Sequence, residues 1–406
     1  MSTRSLLAAV LLAFAALAGA AEDDPQAAAR AGLERLKALR EARPGDGALV
    51  YFEALMHARL GDGPSAVAAL RSLVGRRLGI VPVPSIGFEA IADDPDFRAV
   101  CEALAAQEAA TTPAPLAFRL DDPRLIPEGI AFDPATARFF VGSIAQRKIV
   151  VTDGRGRART FSRASDRLDS VLGLAVDATR RQLYAVSTVL GDAGRDDRRN
   201  AVQRYDLARG RLVERIAAPD AMQLNDVAVG PDGTLYASDS AGHALFRRKP
   251  GEATLTRVGE AGSLVGANGV AVAPDGIVYV TLFTGIARVD TGSGEMKRLP
   301  QPDSVVTGGI DGLYWHDGDL VGVQNSTNPG RVIRIRLADG GTRIDGVTVL
   351  QSHHHALFDE PTTGVIARGA LHVIANSHVA QRGDDGTLKD VARLRPTSIL
   401  AVPLRR

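Results

Sequence analysis

A mainly β architecture, a six-bladed β-propeller preceded by a small α-helical domain, is predicted by three features of this 406-residue chain. The first is a repeat with six copies: EGIAFDPATARFFVGS from Glu128, LGLAVDATRRQLYAVS from Leu172, NDVAVGPDGTLYASD from Asn225, NGVAVAPDGIVYVT from Asn268, DGLYWHDGDLVGVQN from Asp311 and, more weakly, TGVIARGALHVIANS from Thr363. Each copy is a Gly-containing apolar strand, a turn and a second apolar strand, and successive starts lie 44, 53, 43, 43 and 52 residues apart. A period in the forties built from short strands marks a propeller, because one four-stranded blade cannot bury both of its faces alone. The second feature is hairpin chemistry at Pro-Asp-Gly 231–233 and 274–276 and at Asp317-Gly318-Asp319, where residues tolerant of positive φ close tight turns. The third is a change of composition near residue 110, from helical spacing to alternating strands.

Taken in order, residues 1–21 carry Arg4, an apolar run from Leu6 to Leu17 and Ala18-Gly19-Ala20. A basic start, a short apolar stretch and a small-x-small ending predict a cleaved secretory signal, hence a secreted or periplasmic protein. The apolar run is too short to span a bilayer, so no membrane span is expected after cleavage. Residues 22–110 are rich in Ala, Leu, Arg and Glu, with Leu33, Leu36, Leu39, Val50, Phe52, Leu55 and Leu60 at helical spacing. The stretch ARPGDGALVYFEALMHARLGDGPSAVAALRSLV reads as helix, turn, helix and resembles a tetratricopeptide unit. With room for about two repeats, where an independent solenoid needs three, it is expected to be a helical cap on the propeller. The other reading is a docking surface for a protein partner. Residues 111–115, Thr-Thr-Pro-Ala-Pro, form a linker, and 116–406 form the propeller. The polar insert 191–200 explains the long second interval and reads as a solvated loop.

Net charge and cysteine content narrow the function classes. Forty-eight basic residues against 47 acidic ones leave a formal charge of +1, with no electrostatic footprint for nucleic acid. A small molecule is the expected partner. Cys101 stands alone, so neither an internal disulfide nor a thiolate metal site can form. Gly-x-Ser-x-Gly, His-Glu-x-x-His and the phosphate-loop motif are all absent from the sequence, which removes the usual support for serine hydrolase, zincin and nucleotide-hydrolase readings.

Glu128, Asn225, Asn268 and Asp311 open four of the repeats at one register. In a radial fold equivalent positions converge on the axis. Singly, an Asn or Asp at a strand start is ordinarily a turn residue that bonds its own backbone; four at the same register point to a shared metal ion. Carboxylate and amide oxygens are hard donors that suit Ca2+ or another divalent ion such as Mg2+ or Mn2+, and the absence of Cys and His among them disfavours Zn2+. Asp311, a carboxylate beside that ion, is the candidate catalytic residue, placed to take a proton from water.

These strand openings, EG at 128, ND at 225, NG at 268 and DG at 311, resemble those of the gluconolactonase and senescence-marker-protein (regucalcin-like) family of six-bladed propellers, which is similar in turn to the paraoxonases. The likeness spans roughly residues 120–405. It implies a calcium or other divalent ion in the central channel, hydrolysis of lactones and related esters, and ligand roles for Glu128, Asn225, Asn268 and Asp311. Two departures stand out. The catalytic His of paraoxonases falls at Leu172, and the Asp that follows their ligand Glu is Gly129 here. Their mechanism and their second ion therefore do not transfer, although Asp226 remains as a structural Asp or a second acid or base. The run His353-His354-His355 could direct at most two rings to one ion and reads as a solvated loop, with one ring able to reach the channel mouth. Asn325-Ser326-Thr327 fits a glycosylation acceptor but reads as a turn before Pro329-Gly330. The expected function is an exported, metal-dependent lactone or ester hydrolase. The alternative is a non-catalytic propeller that binds a ligand or protein around a structural ion.

Overall fold

The computed structural model describes residues 25–155, 158–190, 200–383 and 385–404. The expected signal segment and all of the 191–200 insert except Asn200 lie outside them. Six four-stranded antiparallel sheets are arranged as blades. Their innermost strands are Pro127–Asp133, Ser170–Asp177, Leu224–Val229, Val270–Val272, Ile310–His316 and Gly364–Ala367, for blades 1 to 6 in order. Each therefore falls on one repeat of the sequence. The sixth blade is completed from far away in the chain, because Leu116–Leu120 pairs with Thr397–Pro403 as its outermost strand.

Burial follows from position in the blade. Second strands are covered on both faces by neighbouring blades, so Arg138–Ser143 is buried from Phe139 onward and Leu235–Asp239 throughout. Apolar side chains meet between blades, as where Phe140, Val151, Leu183 and Tyr205 join blades 1 and 2. The outermost strand Ala158–Thr160 is exposed along its length. Arg181 reaches from blade 2 to both carboxylate oxygens of the buried Asp133 in blade 1, a bidentate pair whose planar geometry tolerates little slippage.

The hub is where the blades approach most closely. The pairing register slips between Pro127 and Ile130, Val171 and Leu174, Leu224 and Val227, and Ile310 and Leu313. In four blades a β-bulge thus sits on the residue that opens the repeat, and a bulge re-aims a side chain while it bends its strand. The following glycine is required by space: a methyl group at Gly129 would lie 2.1 Å from the Leu172 carbonyl oxygen, and one at Gly269 would lie 2.4 Å from that of Asp311. Both clashes are with backbone of the next blade, which cannot rotate away. Gly269→Ala is accordingly expected to destabilise the fold by about 2–3 kcal/mol, the cost of forced overpacking, as read from urea midpoints. An unchanged midpoint would mean that the blades are not held this tightly.

Among the described residues four α-helices precede the ring: α1 Pro25–Ala42, α2 Gly47–Arg59, α3 Gly63–Arg71 and α4 Pro95–Ala105. Asp46, Asp62 and Asp94 cap the last three by accepting from the amides of Ala48, Ser65 and Asp96, which satisfies donors that a helix start leaves free. α2 is buried on nearly every side, because it lies between the other helices and the propeller. Val306 of the propeller belongs to the helical core, and Val265 and Phe283 pack against it. These residues lie in loops at the end where inner strands begin, so the helical domain rests on that face over blades 4 and 5. Arg298 pairs with Asp46 at 2.8 Å, and Arg331 pairs with Glu108 at 2.8 Å. No helix among the described residues is long and apolar enough to cross a membrane.

The run His353-His354-His355, expected as a solvated loop, is structural instead, while of the 191–200 insert only Asn200 is described. His353 Nδ1 lies 2.6 Å from Glu108 Oε2, and His354 Nδ1 is 3.2 Å from Ser352 Oγ. His355 Nδ1 accepts from the Leu357 amide, so its Nε2–H donates to the Ala114 carbonyl at 3.0 Å. The three rings are used in joining the linker and cap to blades 5 and 6, and none of these contacts is at the hub. Asn200 is buried: it donates to the Ala221 and Met222 carbonyls and accepts from Thr188 Oγ1 and the Leu224 amide.

Candidate metal centre at the hub

The four candidate residues come from blades 1, 3, 4 and 5. Glu128 and Asp311 are 4% and 5% exposed, while Asn225 and Asn268 are half-buried. Asn268 and Asp311 touch: Asn268 Nδ2 donates to Asp311 Oδ1 at 2.8 Å. Asn225 Nδ2 donates to Ser240 Oγ at 2.9 Å, and that hydroxyl donates onward to the Ala267 carbonyl at 2.6 Å. Both amides therefore spend their N–H end on the protein. Leu172, at the same register in blade 2, is buried among apolar neighbours and offers no donor.

Electrostatics tie the carboxylates together. Burial drives the Glu128 carboxyl well above its usual pKa, and the negative charges of Asp311 and then Asp226 push it further. Asp226 is raised to about 7, by burial first, against the N–H groups of Val270 and Val227 that hold its ionised form. Burial raises Asp311 too, although Asn325 and Asn268 each donate to one of its oxygens. Beyond those hydrogen bonds, the influences on these three carboxyls are burial and one another's charge. Such a cluster must take up protons or be matched by a cation.

Two buried oxygens at the hub have no hydrogen-bond partner, Glu128 Oε2 and Asn268 Oδ1. Native structures leave few buried acceptors unpaired. A carboxylate oxygen and an amide oxygen, both hard donors, fit a divalent cation such as Ca2+. Among the described residues no three His, Cys, Asp or Glu side chains form a metal cluster by themselves, so a cation here would depend on the amides as well.

Three further residues shape the hub. Asn325, a turn residue by sequence, donates through Nδ2 to Asp311 Oδ2 at 2.7 Å and to the Pro361 carbonyl at 2.9 Å. Its place at the end of a repeat, across one hairpin from Asp311, was the available signal. Asp226 occupies the position held by glycine in the other five blades, and its carboxylate accepts the Val270 amide of blade 4 at 3.0 Å. It is thus a structural hydrogen-bonding Asp that also adds charge. Tyr314 accepts the Gly364 amide at 2.6 Å through its hydroxyl oxygen. Burial, then the charges of Asp226, Asp311 and Glu128, keep its phenol protonated.

A channel of about 770 Å3 runs along the axis, walled by residues of all six inner strands and of the hairpins beyond them. Its lining reaches Gly129 and Asp226, each one residue from a candidate ligand, and includes none of Glu128, Asn225, Asn268 and Asp311. Asp226 and Tyr314 line its inner end.

No protein-family model matches the chain, and no curated protein matches it in sequence. Solved structures similar to it include a PQQ-bound aldose sugar dehydrogenase from Streptomyces coelicolor, with 15% identity, a TM-score of 0.49 and coverage of 72% of this chain and 97% of that one. A gluconolactonase from Xanthomonas campestris has 18% identity, a TM-score of 0.46 and coverage of 73% and 99%. A protein described as a glucose dehydrogenase from Thermus thermophilus has 18% identity, a TM-score of 0.48 and coverage of 70% and 98%. At these identities the likeness is one of fold.

Proposed function

We propose that this protein is a divalent-metal-dependent hydrolase of lactones or related esters. The observation that carries the reading is the hub itself: the buried carboxyls of Glu128 and Asp311 with the half-buried Asp226 near them, and two buried oxygens, Glu128 Oε2 and Asn268 Oδ1, left without a hydrogen-bond partner. Glu128, Asn225, Asn268 and Asp311 would hold the ion, which is Ca2+ or another divalent cation. When bound it would polarise the ester carbonyl and offset the charge that develops on the carbonyl oxygen.

The chain's own groups do the rest. Asp311 is presented by two amides, Asn268 and Asn325, one on each oxygen, so its remaining lone pairs face fixed directions. It takes a proton from the attacking water as the water oxygen bonds to the carbonyl carbon. The carbon–oxygen ester bond then breaks, the proton passes to the departing oxygen, and a hydroxy acid leaves. Water is the only co-reactant.

Purified protein stripped by a chelator is expected to lose at least about 100-fold in lactone turnover, the scale set by loss of charge stabilisation at a reacting oxygen. Turnover returns when Ca2+, Mg2+, Mn2+ or Zn2+ is added back. Hydrolysis indifferent to chelation would overturn the reading. A tightly bound ion with no turnover of sugar, aliphatic or aromatic lactones would favour the non-catalytic alternative.

A further inference from the structure

The hub is covered on the face where inner strands begin. The helical domain lies over blades 4 and 5 there, with Ala48 of α2 packed close to Gly308. On the other side, the long connection between the second and third strands of blade 6 crosses toward blade 2. Its Val379, Leu388 and Leu394 pack with Ile126, Ile144 and Leu224, and Arg382 Nη2 donates to the Leu190 carbonyl at 3.2 Å.

The opposite face gives a different view. There the axial channel starts among the hairpins that follow the inner strands and reaches Gly129, Gly173, Asp226 and Thr363 at its inner end. Inner strands are sheet edges, so their unpaired N–H and C=O groups face the axis. A wall of that kind hydrogen-bonds water along its whole length. At the inner end stands a carboxylate, Asp226, one residue from Asn225.

We propose that this channel supplies the hub with its cation and with water from the face remote from the helical domain. The inference rests on the metal reading above and adds a direction of entry to it. Its test is the rate of ion exchange. Tb3+ serves as a luminescent stand-in for Ca2+, sensitised through Tyr314 and Trp315, and its loss is followed after mixing with excess chelator. Two plugged variants on different blades, Ala228→Phe and Val272→Trp, narrow the channel without touching the ligand set.

Each plugged variant that melts within a few degrees of the parent is expected to release Tb3+ about tenfold more slowly or worse, with the equilibrium affinity unchanged, since only the entry path has been altered. Release at the parental rate in both would overturn the proposal, as would a change in affinity that accounts for the change in rate. Should the parent bind neither Tb3+ nor Ca2+, the metal reading fails first and the entry route fails with it. Parental exchange in plugged protein that still holds the ion removes the route alone.

Discussion

Asp311→Asn is expected to lower lactone hydrolysis by about a thousandfold, within the range that a positioned proton acceptor contributes, while the metal-free variant melts at or above the parent. The two halves of this result have one cause. Asp311 is nearly isosteric with Asn, and its neighbours can adapt: Asn268 Oδ1 has no partner and accepts the new amide N–H once Asn268 turns its other end. The substitution also removes a buried negative charge that raises Glu128 and Asp226, so the apo hub loses repulsion. Activity is lost because the carboxamide neither takes the proton from water nor supplies a full charge to the ion. Turnover and thermal melting of chelated protein measure both effects. A variant as active as the parent would remove Asp311 from the chemistry, and one that melts far lower would make its role structural.

Arg331→Met should cost about 3–5 kcal/mol at neutral pH, the penalty for leaving one member of a buried ion pair uncompensated. Arg331 and Glu108 side chains are 4% and 5% exposed. The guanidinium also donates to Gln324 Oε1 at 2.7 Å and to the Leu78 carbonyl at 3.1 Å, so it binds blade 5 to the stretch after α3. Burial alone would raise Glu108, but the hydrogen bond from His353 and the charge and hydrogen bond of Arg331 hold it at about 2. A carboxyl depressed on folding stabilises the native state above its unfolded pKa, near 4.5, and that contribution fades as pH falls toward about 2. Urea midpoints of parent and variant should therefore differ widely at pH 7 and draw together near pH 3. Equal separation at both values would show that the loss comes from packing of the Arg331 stem rather than from its charge.

The ring and the polar register were legible because repetition amplified them. Glu128, Asn225, Asn268 and Asp311 each look like turn residues, but the spacing between them matches the blades; Asn268 and Asp311 touch, and Glu128 lies within reach of the Asp311 charge. Asn325 was hidden for the opposite reason. It lies in a stretch rich in turn formers, and its contact with Asp311 depends on a hairpin register that single positions do not announce. The pairing of Leu116–Leu120 with Thr397–Pro403 was equally silent, since no local pattern records which distant strand completes a blade. His353, His354 and His355 looked like a polar loop because composition reports polarity and not partners. Their partners come from three places: Glu108 from the helical region, Ser352 from the end of blade 5 and the Ala114 carbonyl from the linker.

That closing strand sets an order on biosynthesis. A ribosome releases Leu116–Leu120 long before Thr397–Pro403, so a nascent chain holds blade 1 with one flank bare until that later strand emerges. Bare strand edges recruit other chains, and late, long-range closure is slow. The helical cap, made earlier from local contacts, is ready to dock as soon as blades 4 and 5 emerge, and it bridges the unfinished arc before the circle is complete.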